Sequence, residues 1–292
     1  MISESADSNN KTPSNMSVSL PPGTPRAHRR AFFLRAAVAT LLAQSGPWAL
    51  AQVPAAPPPA ILATAINRAG RFRALSQRIA KAYCQMHLNV DPSDARQVLE
   101  TARRLVRSGF DDLAKSPWHI DIASQLAEIR TLFEGLDALL VMPPTREAVA
   151  AASAQADKML AAANSATETF EKLFKTASGA LVNTAGRQRY LSQRLAKNYF
   201  LLAAGMDGKA VREQMVADAA AFKQGMASLA AASVTNAAIR GELLMGEQQW
   251  IFFSAALDRA PDMRGLRAVA TASERLLEVM NNLTVQYETA VQ

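Results

Sequence analysis

The sequence predicts an all-α protein: two tandem antiparallel four-helix bundles behind a disordered N-terminal export segment. Three observations carry that expectation. Alanine is abundant and aromatics make up only 6% of the 292 residues, although hydrophobic residues reach 49%. Such a balance suits close-packed helices better than sheets. Apolar residues recur every three or four positions, as in Leu62, Ile66, Ala69, Phe72, Leu75, Ile79, Ala82 and Met86, which is the stripe of a helix facing a core. Finally, one stretch of seventeen residues occurs twice.

Residues 1–51 read as an address label. The polar Ser, Asn and Pro-rich stretch 1–28 leads to Arg29-Arg30-Ala31-Phe32-Phe33-Leu34-Arg35, an apolar run Ala36 to Ala43, and Ala49-Leu50-Ala51 before Gln52. Paired arginines, a short apolar run and a small-x-small cleavage site resemble a twin-arginine export signal. The competing reading is a membrane anchor, but Arg35 and Gln44-Ser45-Gly46-Pro47 interrupt the run well short of the ~20 apolar residues that span a bilayer. The expectation is therefore export to the periplasm with cleavage near Ala51-Gln52, leaving a Pro/Ala linker over 52–59.

Residues Asn67 to Tyr83 return as Asn183 to Tyr199 with twelve of seventeen positions identical, an offset of 116. This marks a duplication. The first module spans 60–177, with helices expected over 60–88, 92–115, 118–141 and 145–177. Asp91-Pro92 and Ser116-Pro117 read as an N-cap followed by proline at the first helical position, and Met142-Pro143-Pro144-Thr145 as a stop and restart. The second module spans 178–292, with helices over 179–205, 208–232, 236–258 and 262–291, and Asp207 stands where Asp91 stands in the first. Short connections imply antiparallel neighbours. Between the modules only Gly179 interrupts the helical pattern. A continuous helix would stack the bundles as a rod, and a bend there would lay them side by side.

The repeated helix carries the candidate site. Gly70, Arg73 and Gln77 lie at i, i+3 and i+7, with Lys81 one turn further, and recur as Gly186, Arg189, Gln193 and Lys197. A glycine inside a helix costs about 1 kcal/mol relative to alanine, so its repetition points to a close approach by a helix or a ligand. Arginine beside it presents a permanently charged fork of donors suited to an oxyanion. Two such arginines facing one another repel, and an anion is their natural counter-charge. The alternative is a pair of solvated or salt-bridged arginines next to a glycine that only permits tight packing. Asn67 and Asn183 cap the helix or join its polar network. Arg71 and Arg78 read as structural, Ser76 and Ser192 as bonded within the helix, and Cys84, whose counterpart is Phe200, as core.

Several function classes drop out. The formal charge is +7, of which the first 51 residues supply +3, so +4 remains; no basic run is interleaved with aromatics, and nucleic acid is not an expected partner. One cysteine and three histidines make neither an intrachain disulfide nor a Cys/His metal cluster. No nucleophile elbow, phosphate loop or His-Glu-x-x-His motif is present. The reading is a protein without enzymatic activity, cofactor or metal.

The run Asn-x-Ala-Gly-x-x-Arg-x-x-Ser-x-Arg, present from Asn67 and again from Asn183, resembles the P-box of NarX/NarQ-type nitrate sensors. It is still more similar to the N-terminal domain of PilJ-type transducers of type IV pili and methyl-accepting chemotaxis systems. The resemblance implies a periplasmic helical-bundle sensor with a small oxyanion, nitrate or nitrite, as ligand. By matching positions it places Arg73 and Arg189 on that ligand, with Gly70 and Gly186 as close-approach glycines and Asn67 and Asn183 beside them. It also implies a membrane-bound signalling partner, since the chain carries no output module of its own, and a homodimer as one way of pairing the motif helices. A ligand-free adaptor bundle that uses these helices for docking is the alternative.

Overall fold

Proline 58 caps the first helix and Pro59 opens it, because a proline at the first helical position forfeits no backbone bond. From there a computed structural model describes residues 58–174, 177–206 and 208–292. The expected export segment 1–51, most of the expected linker 52–59, the stretch 175–176 and Asp207 lie outside the described residues. Eight helices follow: α1 Pro59–His87, α2 Pro92–Leu113, α3 Ile120–Leu139, α4 Arg146–Phe174, α5 Ala177–Ala203, α6 Lys209–Ala230, α7 Ala237–Leu257 and α8 Met263–Ala290. Each lies within a few residues of its expected span, and no strand occurs among the described residues.

Helix ends are specified locally. α1 and α5 stop on left-handed residues at matching positions, Asn89 at φ 55° and Gly205 at φ 71°. In both, the next amide reaches back to close the last turn, Val90 N–H to Gln85 O and Met206 N–H to Leu201 O, the pattern in which a left-handed residue satisfies the final carbonyls. Asn236 and Asp262 cap α7 and α8 by accepting from the amides of Ile239 and Gly265. Two expected caps differ. Asp91 precedes α2 but its side chain makes no cap bond; it accepts from Arg267 Nε of α8 at 3.0 Å instead. Nor does α3 begin at Ser116-Pro117: it starts at Ile120, with His119 Nδ1 accepting from the Asp121 amide.

Packing puts the repeated helices at the centre. α1 lies against α2, α4 and α5, while α5 also takes α6 and α8; α3 covers α4 and α7 covers α8. The order of contacts along each pair gives the directions. Arg73 meets Asn164 and Gln77 meets Ala156, so α1 and α4 are antiparallel. Asn183 meets Glu171 and Lys197 meets Asp157, so α4 and α5 are antiparallel as well. α1 and α5 therefore run parallel and the two halves lie side by side, which excludes the rod. Gly179 sits inside α5 rather than at a bend. The short connections do not make every neighbour a packing partner: α2 and α3 barely touch, as do α6 and α7.

Each half has its own aromatic core away from this centre. Phe72 stacks on Phe110 at 4.5 Å between ring centroids, with Phe133 beyond it. Phe222 stacks on Trp250 at 4.3 Å, with Phe253 beyond. Cys84 is fully buried in the shared core.

Candidate functional site

Parallel packing sets Gly70 of α1 level with Gly186 of α5. Side chains on a helix lean toward its N-terminus, so Arg73 and Arg189, one turn further on, reach back past these glycines and toward the other helix. A side-chain carbon at Gly70 would lie 2.9 Å from Arg73 Nη2 and 3.7 Å from Arg189 Nη2; at Gly186 it would lie 3.3 Å from Arg73 Nη2 and 3.2 Å from Arg189 Nη2. The glycines are thus the space in which the two guanidiniums meet. Both arginines are completely buried, and among the described residues neither makes an ion pair with a carboxylate.

Amides take the place of ion pairs. Arg73 Nη2 donates to Asn183 Oδ1 at 2.8 Å, Nη1 to Asn164 Oδ1 at 2.9 Å, and Nε more weakly to Gly70 O at 3.4 Å. Arg189 makes one bond, from Nη2 to Asn67 O at 3.2 Å; its Nε and Nη1 have no partner, nor has Asn67 Oδ1. Carboxylates stand one step behind the amides. Asn183 Nδ2 donates to Glu171 and Asn67 Nδ2 to Glu288, and Asn164 Nδ2 donates to Glu168. Burial lowers the Arg73 guanidinium to about 10, with Tyr190 opposing the shift. Burial, followed by repulsion from Arg71 and Arg73, drives Arg189 well below its ordinary value. An uncompensated buried cation costs several kcal/mol, and here the cost falls on Arg189.

Flanking layers repeat the arrangement with variations. Ser76 and Ser192 bond back to the carbonyls of Arg73 and Arg189. Gln77 donates to Ala156 O and Gln193 to Ser273 O. One turn on, buried Lys81 pairs with Glu274 at 2.5 Å, which also takes Arg78, while Lys197 pairs with Asp157 at 2.6 Å. Arg194 turns instead to Asp218 of α6. Beside that pair a cleft of about 490 Å³ opens between α4, α5 and α6, with Asn164 and Tyr190 in its wall; the Tyr190 ring lies 5.4 Å from Arg73 and 5.2 Å from Arg194. A smaller groove of about 240 Å³ between α1 and α2 has Asn67, Arg71 and Glu288 in its wall. Among the described residues no cluster of His, Cys, Asp or Glu could hold a metal ion.

All six residues singled out in the sequence, Asn67, Gly70, Arg73, Asn183, Gly186 and Arg189, therefore come together in one place. Asn67 and Asn183 join the network and cap nothing. Asn164, Glu168, Glu171, Glu288 and Tyr190 were not anticipated. For the glutamates a signal existed: Glu171 and Glu288 occupy matching places in α4 and α8, at an offset of 117 that also relates Thr167 to Thr284, each bonded to the carbonyl four residues back. One residue more than the motif's own offset hides that correspondence.

No curated protein and no solved structure gives a significant match to the chain. The family described as "Type IV pili methyl-accepting chemotaxis transducer N-term", PilJ, matches residues 62–169 and 175–243, covering α1 to α6 and the start of α7. That is well over half of the chain and includes both copies of the motif, so the chain belongs to the PilJ family of sensor-type signalling domains.

Proposed function

We propose that this protein is an exported periplasmic sensor in which two copies of the helical module, 60–177 and 178–292, fold on each other. It binds one small oxyanion of the nitrate or nitrite class where α1 meets α5 and relays occupancy to a membrane-bound partner. One observation carries this reading: two fully buried guanidiniums converge between facing glycines, and among the described residues neither is ion-paired to a carboxylate. An anion there offsets their repulsion and draws α1 and α5 together, a displacement that long helices transmit to their ends. Because both motif helices belong to one chain, the site needs no second copy. Among the described residues no helix is long and apolar enough to cross a membrane.

The test is a thermal-shift titration of the full chain with nitrate, nitrite and sulfate at constant ionic strength in chloride. A selective rise in Tm that disappears in Arg73→Ala/Arg189→Ala supports binding; equal responses to all anions refute it. A second reading, a ligand-free adaptor, is favoured by one feature: α7 exposes Leu244, Met245, Ile251 and Phe252 along one face, an apolar stripe of the kind that docks a partner.

A further inference from the structure

The two halves of the site are not equivalent, and the difference has a cause in sequence. Arg73 has a partner on every guanidinium nitrogen, whereas Arg189 has one on Nη2 alone. Asn164 of α4 supplies the bond to Arg73 Nη1. Its counterpart at the offset of 117 is Asn281 of α8, half-buried, and no side-chain hydrogen bond joins Asn281 to Arg189. Asn164 is held by Glu168, one turn on, which takes its Nδ2 and so turns Oδ1 toward Arg73. The residue at the place of Glu168 in α8 is Val285, 47% exposed. The valine side chain accepts no hydrogen bond, so the Asn281 amide lacks the acceptor that Glu168 gives Asn164. Glu168 also contributes a nearby negative charge to Arg73, and Arg189 has no equivalent beyond Glu288.

We propose that the oxyanion docks on Arg189 alone, on Nη1 and Nε, while Arg73 is a structural tie between α1, α4 and α5. This rests on the oxyanion reading given above and makes the site asymmetric, with one ligand per chain. The Glu-to-Val difference between α4 and α8 is what leaves Arg189 available. The groove of about 240 Å³ between α1 and α2 is the approach on that side, since its wall includes Asn67, whose carbonyl takes Arg189 Nη2, and Arg71, the charge that acts most on Arg189.

The decisive experiment rebuilds the missing partner. Val285→Glu gives Asn281 the acceptor that Asn164 has, so that Asn281 Oδ1 competes with the anion for Arg189 Nη1. A hydrogen bond to a charged group corresponds to a change in affinity of about tenfold or more. Nitrate titrations by calorimetry on the full chain should give one site, weakened at least about tenfold in Val285→Glu and altered less than about threefold in Val216→Glu, the same change on an exposed valine of α6. Both positions are at least partly exposed, so folding is preserved and checked by Tm. Equal weakening in the two variants, or no effect of Val285→Glu, overturns the asymmetric site and leaves the oxyanion reading standing. Absence of nitrate binding to the unsubstituted chain overturns both.

Discussion

Replacing Glu274 by glutamine leaves buried Lys81 with neutral acceptors, among them Ser273 Oγ at 2.9 Å, and no carboxylate as counter-charge. Burial pushes the Glu274 carboxyl up, but Lys81 and Arg78 outweigh it and hold the group at about 2, against an ordinary 4.5. That difference corresponds to about 3 kcal/mol of folding free energy, in line with the roughly 3–5 kcal/mol lost when one member of a buried pair is removed. The sign follows from the depressed value. Glu274 stabilises the fold fully above its unfolded-state pKa, and the contribution disappears as pH falls from about 4.5 to about 2. The chain carries its own control, because Lys197 pairs with Asp157, whose side chain is 49% exposed. Water screens that pair, so Asp157→Asn costs less, about 1 kcal/mol. Denaturant melts at neutral pH should rank Glu274→Gln as the more destabilised, and its stability should fall less steeply than the wild type's between pH 5 and 2. An equal or larger loss in Asp157→Asn, or an unchanged acid slope in Glu274→Gln, refutes the reasoning.

Arg189→Met removes a buried charge that lacks partners, so in anion-free buffer its unfolding free energy should stay level or rise, while Arg73→Met strands Asn164 and Asn183 and should lose about 2 kcal/mol; chemical denaturation compares them directly. Gly265→Ala would set its new carbon 2.2 Å from the Ala260 carbonyl oxygen and 2.7 Å from Tyr199 Oη, a backbone clash that should lower Tm at the α7–α8 turn, with a loss of about 2–3 kcal/mol. Burial pushes the Cys84 thiol up to about 12, with Lys197 opposing, so a thiol reagent at neutral pH should modify it only at the rate of unfolding.

Much of this protein is written locally. The helix-favouring composition, the three-to-four-residue apolar spacing and the prolines at the breaks determine eight helices, because caps and amphipathic stripes are short-range properties. The duplicated motif likewise names Asn67, Gly70, Arg73 and their copies, since a glycine beside an arginine inside a helix needs a reason that local structure does not supply. The relation between copies is decided elsewhere. Whether α5 continued the direction of α4 or ran back along it depended on long-range packing, and their antiparallel packing makes α1 and α5 parallel and brings Arg73 and Arg189 together. The same holds for Asp91, whose carboxylate leaves its expected cap for Arg267, a partner 176 residues away. The asymmetry of the site was carried by Glu168 and Val285 all along, but it acquires meaning only once tertiary packing sets Asn164 against one guanidinium and leaves the other without it.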